Sequence, residues 1–122
     1  MGRKHLLQTR TISTLTEFFE NSDANCRKNT FKLVNSIASH PNGAEFIISI
    51  NMTEKCYRAL ELEPIIEIKL EILKILENIS NFRPAEVLNL KNSFDILIGF
   101  LDAEKFSAQV VLVAISIIAN LW

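Results

Sequence analysis

The feature that most restricts this chain is that it repeats itself. Val34-Asn35-Ser36-Ile37-Ala38-Ser39, Leu76-Glu77-Asn78-Ile79-Ser80-Asn81 and Ile118-Ala119-Asn120-Leu121-Trp122 resemble one another and recur every 42 residues. The register extends upstream. Cys26, Ile68 and Val110 align, as do Phe31, Leu73 and Ile115. Leu33, Ile75 and Ile117 form a third column, and Ile37, Ile79 and Leu121 a fourth. Every aligned column is apolar. An apolar register at a fixed period means one supersecondary unit packed on copies of itself.

Each unit reads as helices. From Ile65 to Asn81 the polar residues Glu67, Glu71, Lys74, Asn78 and Asn81 fall at steps of 3 and 4. They form one narrow polar stripe on a mainly apolar helix, with Lys69, Glu77 and Ser80 lying off it. The many β-branched residues favour a strand. A strand, however, rarely runs so long, and the period is that of a helix. Ala24–Ser39 and Lys105–Leu121 repeat the pattern. A shorter helix is predicted before each: Ile12–Glu20, Thr53–Leu62 and Ser93–Leu101. Shorter segments still precede these: Arg3–Gln8, Asn42–Ile48 and Pro84–Leu90. Ser22 or Asp23 suits the N-cap of the first long helix, and Pro64 the first turn of the second. His40-Pro41-Asn42-Gly43 and Phe82-Arg83-Pro84 carry loop chemistry. The plan is short, medium and long, three times over.

Composition narrows the function classes. The 122 residues hold 13 Lys+Arg against 14 Asp+Glu, a net charge of −1. That balance argues against a general nucleic-acid binder. With 48% hydrophobic residues the chain is too apolar for disorder. No apolar run reaches the roughly 18–20 residues of a membrane span, so no membrane partner is expected. Basic Met1–Arg10 is followed by no long apolar stretch of the signal-peptide kind. Cys26 and Cys56 form neither a disulfide framework nor a zinc site. The expectation is one domain over residues 1–122 in a cytoplasmic protein.

Catalytic chemistry finds little here. His5 and His40 lie in different repeats, and Cys26 and Cys56 occupy apolar helical positions where cysteine is usually inert packing. Three glycines make no phosphate loop. Glu61, Glu63, Glu67 and Glu71 gather around one helix start, where carboxylates favour the helix dipole. No cofactor and no metal are expected, and the chain reads as no enzyme.

A three-helix unit of this length, with a long third helix, resembles the armadillo repeat. Leu76-Glu77-Asn78-Ile79 and Ile118-Ala119-Asn120-Leu121 are similar to the family's third-helix signature. Gly43-Ala44-Glu45-Phe46-Ile47-Ile48 and Gly2-Arg3-Lys4-His5-Leu6-Leu7 are similar to its first-helix opening. The resemblance implies an all-α, right-handed α-solenoid of three armadillo-like repeats, at about 2–40, 41–82 and 83–122, within a longer solenoid. It also implies a non-catalytic protein–protein interaction scaffold. Asp23-Ala24-Asn25-Cys26-Arg27-Lys28-Asn29 and Pro41–Ser49 further resemble the radial spoke head protein 14 homolog family, which implies the axoneme of a cilium or flagellum.

In armadillo proteins the third helices line a concave groove, and the signature Asn bonds the backbone of an extended peptide. An amide offers donor and acceptor together. Asn78 and Asn120 match that position; Ser36 departs from it. The adjoining row is Lys32, Lys74 and Ser116, then Asn29, Glu71 and Val113, with Ser39 and Asn81 at the near edge. Two lysines where import receptors carry tryptophan would repel a basic peptide and mildly favour an acidic one. Such a stripe is also what a solvated helix face looks like, and Asn near a helix end also bonds local backbone. The first repeat is basic, with Arg3, Lys4, His5, Arg10, Arg27, Lys28 and Lys32, which could steer a partner. The last helix, Val110 to Trp122, is apolar nearly all round, whereas solenoids end in a polar cap. An uncapped apolar end marks an interface, to further repeats or a second copy, and Leu112, Val113, Ala119 and Trp122 are its expected residues.

Overall fold

The computed structural model describes residues 16–88 and 92–121. A 3-10 turn, Thr16–Glu20, precedes seven helices: α1 (Ala24–Ala38), α2 (Pro41–Ser49), α3 (Met52–Leu62), α4 (Ile66–Phe82), α5 (Pro84–Val87), α6 (Ser93–Gly99) and α7 (Ala108–Asn120). The chain is all-helical; no strand occurs among the described residues. The predicted segments Arg3–Gln8 and the first part of Ile12–Glu20 lie outside the described residues, as do Asn89, Leu90 and Trp122.

The three long helices α1, α4 and α7 lie side by side, with α4 in the middle touching both others. Shorter helices back them: α3 and α5 pack on α4, α2 on α1 and α4, and α6 on α7. The 3-10 turn docks on α1 through Phe19 and Phe31, whose ring centroids stand 4.6 Å apart. The core runs through the whole stack: Phe31 and Val34 of α1, Ile47 of α2, Met52 and Leu60 of α3, Ile72, Leu73, Leu76 and Ile79 of α4, Leu97 of α6 and Ile117 of α7. Each buried Leu, Ile or Phe contributes about 2 kcal/mol relative to exposure. That is why β-branched residues sit in α4 against their intrinsic preference: packing on both flanks outweighs a few tenths of a kcal/mol of propensity.

Local chemistry sets the helix ends. Asp23 is the N-cap of α1, its carboxylate accepting from the Asn25 N–H at 2.9 Å. Pro41 and Pro84 open α2 and α5 at positions that need no N–H. Asn51 joins α2 to α3 with φ of 60°, a left-handed conformation that Asn tolerates. Three expectations shift. Pro64 stands before α4 rather than in its first turn, and Glu63 serves that end by accepting from the Ile65 N–H at 3.1 Å. The last long helix starts at Ala108, not Lys105. Asp102 captures the intervening residues instead: its Oδ1 accepts from Glu104 N–H at 3.0 Å and its carbonyl from Lys105 and Phe106. Turn chemistry of Asp wins over the apolar period there, and Ser107 caps α7. α2 opens at Pro41 rather than Asn42 and runs to Ser49, with Gly43 inside its first turn.

Candidate protein-interaction surfaces

One face of the long helices carries the polar stripe. Lys32, Ser36 and Asn29 are exposed on α1; Lys74 and Asn78 are half-buried on α4, and Glu71 is buried; Val113, Ser116 and Asn120 are half-buried on α7. Asn81 and Ser39 are exposed at its edge. The amides do not point along the helices. Asn78 Nδ2 donates to Asn35 Oδ1 at 2.6 Å, crossing from α4 to α1. Asn120 Nδ2 donates to Asn81 Oδ1 at 2.7 Å and to Ser80 Oγ at 3.0 Å, crossing from α7 to α4. Each signature amide thus reaches sideways to the preceding long helix. The pairs bridge neighbouring repeats and use the donor half of each amide, which leaves Oδ1 of Asn78 and Asn120 as acceptors on the polar face. Bonding to local backbone, the other role open to these residues, is not what they do.

Charge on this face is partly cancelled. Lys74 Nζ lies 3.7 Å from Glu71 Oε1 on the same helix. Lys32 has no ion-pair partner among the described residues and stands exposed at the rim. The mild bias toward acidic ligands expected from Lys32 and Lys74 therefore rests mainly on Lys32. A shallow pocket of about 170 Å³ lies at one end of the face, lined by Ala38, Ser39, Pro41, Ala44, Asn78, Asn81 and Phe82.

Compared with protein-family models, curated proteins and solved structures, the chain matches none. Its surfaces therefore have to be read from their own chemistry.

On α7, Leu112 is 64% exposed, Ile115 47% exposed, and Ala119 is exposed with them. Val113 lies half-buried beside the polar face, and Trp122 lies outside the described residues. Sequence reasoning missed Ile115 as an end residue, although its column with Phe31 and Leu73 was visible. It also missed Asn35, because Ser36 occupies the position aligned with Asn78. No helix among the described residues is long and apolar enough to cross a membrane.

The cysteines part company. Cys26 is half-buried on α1 and Cys56 fully buried on α3. Burial pushes the Cys56 thiol up from 9.0 to about 12. It therefore stays protonated, and non-nucleophilic, at neutral pH. His40 is the exposed N-cap residue of α2 and makes no side-chain capping bond; His5 lies outside the described residues. The raised thiol has a consequence with a definite sign. The unfolded chain ionises this thiol near pH 9 and the folded chain near 12, so its contribution to stability is complete below about pH 9. It declines as pH rises toward 12, at roughly 1 kcal/mol per pH unit. Tyr57, also raised by burial and by the neighbouring Cys56, adds to the decline. Urea unfolding between pH 7 and 11 should show this slope, and Cys56→Ala should flatten it. In the native state a thiol reagent should label Cys26 and spare Cys56.

Proposed function

We propose that this chain is a non-catalytic protein-interaction scaffold, an armadillo-like right-handed solenoid of three helical repeats forming one domain. The observation that carries this is the side-by-side stacking of α1, α4 and α7, with each junction bridged by an amide pair, Asn78–Asn35 and Asn120–Asn81, set one helical turn apart in the repeat. Stacked repeats create extended surfaces, and extended surfaces serve binding. The likeness of Asp23–Asn29 and Pro41–Ser49 to the radial spoke head protein 14 homolog family points to an axonemal scaffold in a cilium or flagellum.

A second reading, an adaptor for an extended peptide, is favoured by the Oδ1 acceptors of Asn78 and Asn120, which lie on one shared face and take no hydrogen bond from the described residues. Peptide-display selection on the immobilised chain separates the two. If the face grips backbone, selection yields extended binders, and Asn78→Ala with Asn120→Ala weakens them by about 10-fold or more, equivalent to roughly 1–3 kcal/mol of lost hydrogen bonding. The same variant should also lose about 1 kcal/mol of stability per bridge, measured by urea unfolding, so affinities are compared at a temperature where both proteins are folded. If no binder emerges and the chain also fails to bind through its ends, the scaffold reading falls.

A further inference from the structure

The two ends of the stack expose the flanks that its interior buries. On α1, Lys28 Nζ stands 3.7 Å from Glu67 and Asn35 accepts from Asn78, so the Lys28/Phe31/Asn35 flank meets α4. The residues 42 positions on are Leu70, Leu73 and Glu77, the flank of α4 toward α7. The next set is Leu112, Ile115 and Ala119, all three exposed. Leu73 is 0% exposed, whereas Ile115 is 47% exposed. The backing helices agree. Ser93, Leu97 and Phe100 fill the buried positions held in α3 by Met52, Cys56 and Ala59. In that alignment Ile98 and Leu101 correspond to Tyr57 and Leu60. Tyr57 and Leu60 are buried, and the Tyr57 hydroxyl donates to the Val87 carbonyl of the following repeat at 2.8 Å. Ile98 and Leu101 are exposed. The opposite end shows the converse. Leu33 of α1 is 48% exposed, while its counterparts Ile75 and Ile117 are 0% exposed.

Resting on the scaffold reading, we infer that the chain stacks head to tail on a second copy of itself. The flank formed by Ile98, Leu101, Leu112, Ile115 and Ala119 receives the Leu33 flank of α1 from the next copy, continuing the α1–α4 and α4–α7 interfaces across the junction. The charges fit. α7 carries no charged residue from Ala108 to Asn120, so the junction desolvates none on that side. The interior junctions combine apolar columns with polar bridges, Asn78–Asn35 and Asn120–Asn81, and the Leu33 flank likewise sets an apolar contact beside the exposed Asn29, Lys32 and Ser36. An interface between two different flanks leaves one free flank at each end of a pair, so assembly continues past two copies, as a ring where the rotation closes and as a filament where it does not.

Light-scattering chromatography across a concentration series tests this on the whole chain. The expected result is a mass that rises past two copies with concentration, from the 13.9 kDa of one chain. Leu112→Glu blocks one end and Leu33→Glu the other. Both sites are exposed, so each variant should keep the melting temperature of the parent. Each variant alone should run as a single chain, and an equimolar mixture of the two should form a species of two chains, because one intact head meets one intact tail. A parent that stays at 13.9 kDa at every concentration overturns the proposal. So does Leu33→Glu that still dimerises, which would mean α7 pairs with α7. Peptide binders that depend on Asn78 and Asn120 from a strictly single-chain protein would overturn the stacking while leaving the scaffold reading intact.

Discussion

Gly43→Ala should destabilise this protein more than any other single-methyl change. A Cβ at position 43 would overlap the Ile37 carbonyl oxygen and lie 2.8 Å from its carbon. The obstacle is backbone at the end of α1, so no rotamer change relieves it. The first turn of α2 would have to withdraw from α1. Overpacking in a tight site costs about 1–3 kcal/mol and sometimes more, and an immovable carbonyl puts this case at the upper end. A loss of about 3 kcal/mol corresponds to a melting temperature about 10 °C lower for a domain of this size. Gly99→Ala is the control. Nothing lies within 4 Å of its Cβ position, and its φ is not positive. Near the end of α6, alanine should be neutral or stabilise by about 0.5 kcal/mol through helix propensity. Thermal and urea unfolding of the two variants, run side by side, decide the matter. Equal melting temperatures would mean that α1 and α2 do not approach as closely as described.

That glycine also shows what the sequence could reveal. His40-Pro41-Asn42-Gly43 shows loop chemistry at the opening of the helix expected from Asn42, but not that Gly43, inside that helix, is needed for proximity to Ile37. Proximity between elements leaves no mark in a local pattern. The period of 42 was legible because every repeat buries the same columns. The second helices were harder to align. Relative to α3, α6 is displaced by one residue, and the Asp102 turn absorbs the difference. The polar stripe was legible as a face, but its bonding was not. Asn78 pairs with Asn35 across a helix pair, one residue away from the aligned Ser36, and sideways reach depends on how helices cross. The end faces were half legible. Leu33, Ile75 and Ile117 are equivalent in the sequence; only the presence or absence of a neighbour makes the first exposed and the others buried.

Glu63→Ala should produce the second large loss, and its cause is electrostatic. Glu63 has a side chain only 2% exposed, and Arg27 grips it with two parallel bonds, Nε–Oε1 at 2.8 Å and Nη2–Oε2 at 3.1 Å. Arg27 Nη1 also donates to the Asn21 carbonyl at 2.7 Å, and Glu63 Oε2 accepts from Ile65 N–H. One carboxylate therefore ties the start of α1, the end of α3 and the start of α4 into a single corner. Replacing it with alanine leaves a guanidinium facing a gap and a backbone donor without its acceptor. Removing one partner of such a pair costs far more than the pair itself contributes, and a fall in melting temperature of about 10 °C is expected. Glu63→Gln keeps the shape and one acceptor, so about half that fall should remain. Salt separates this pair from the surface ones. The Arg83–Glu45 contact at 3.4 Å, exposed on both sides, is weak and screened. Arg83→Ala should therefore change little, and what it does change should vanish in 1 M NaCl. The Glu63→Ala deficit should persist there. A deficit that disappears in high salt would mean that the corner is open to solvent. Persistence would mean that the angle between α1 and α4, which sets the reach of Asn78 to Asn35, is held by a buried charge pair at one end and by amides at the other.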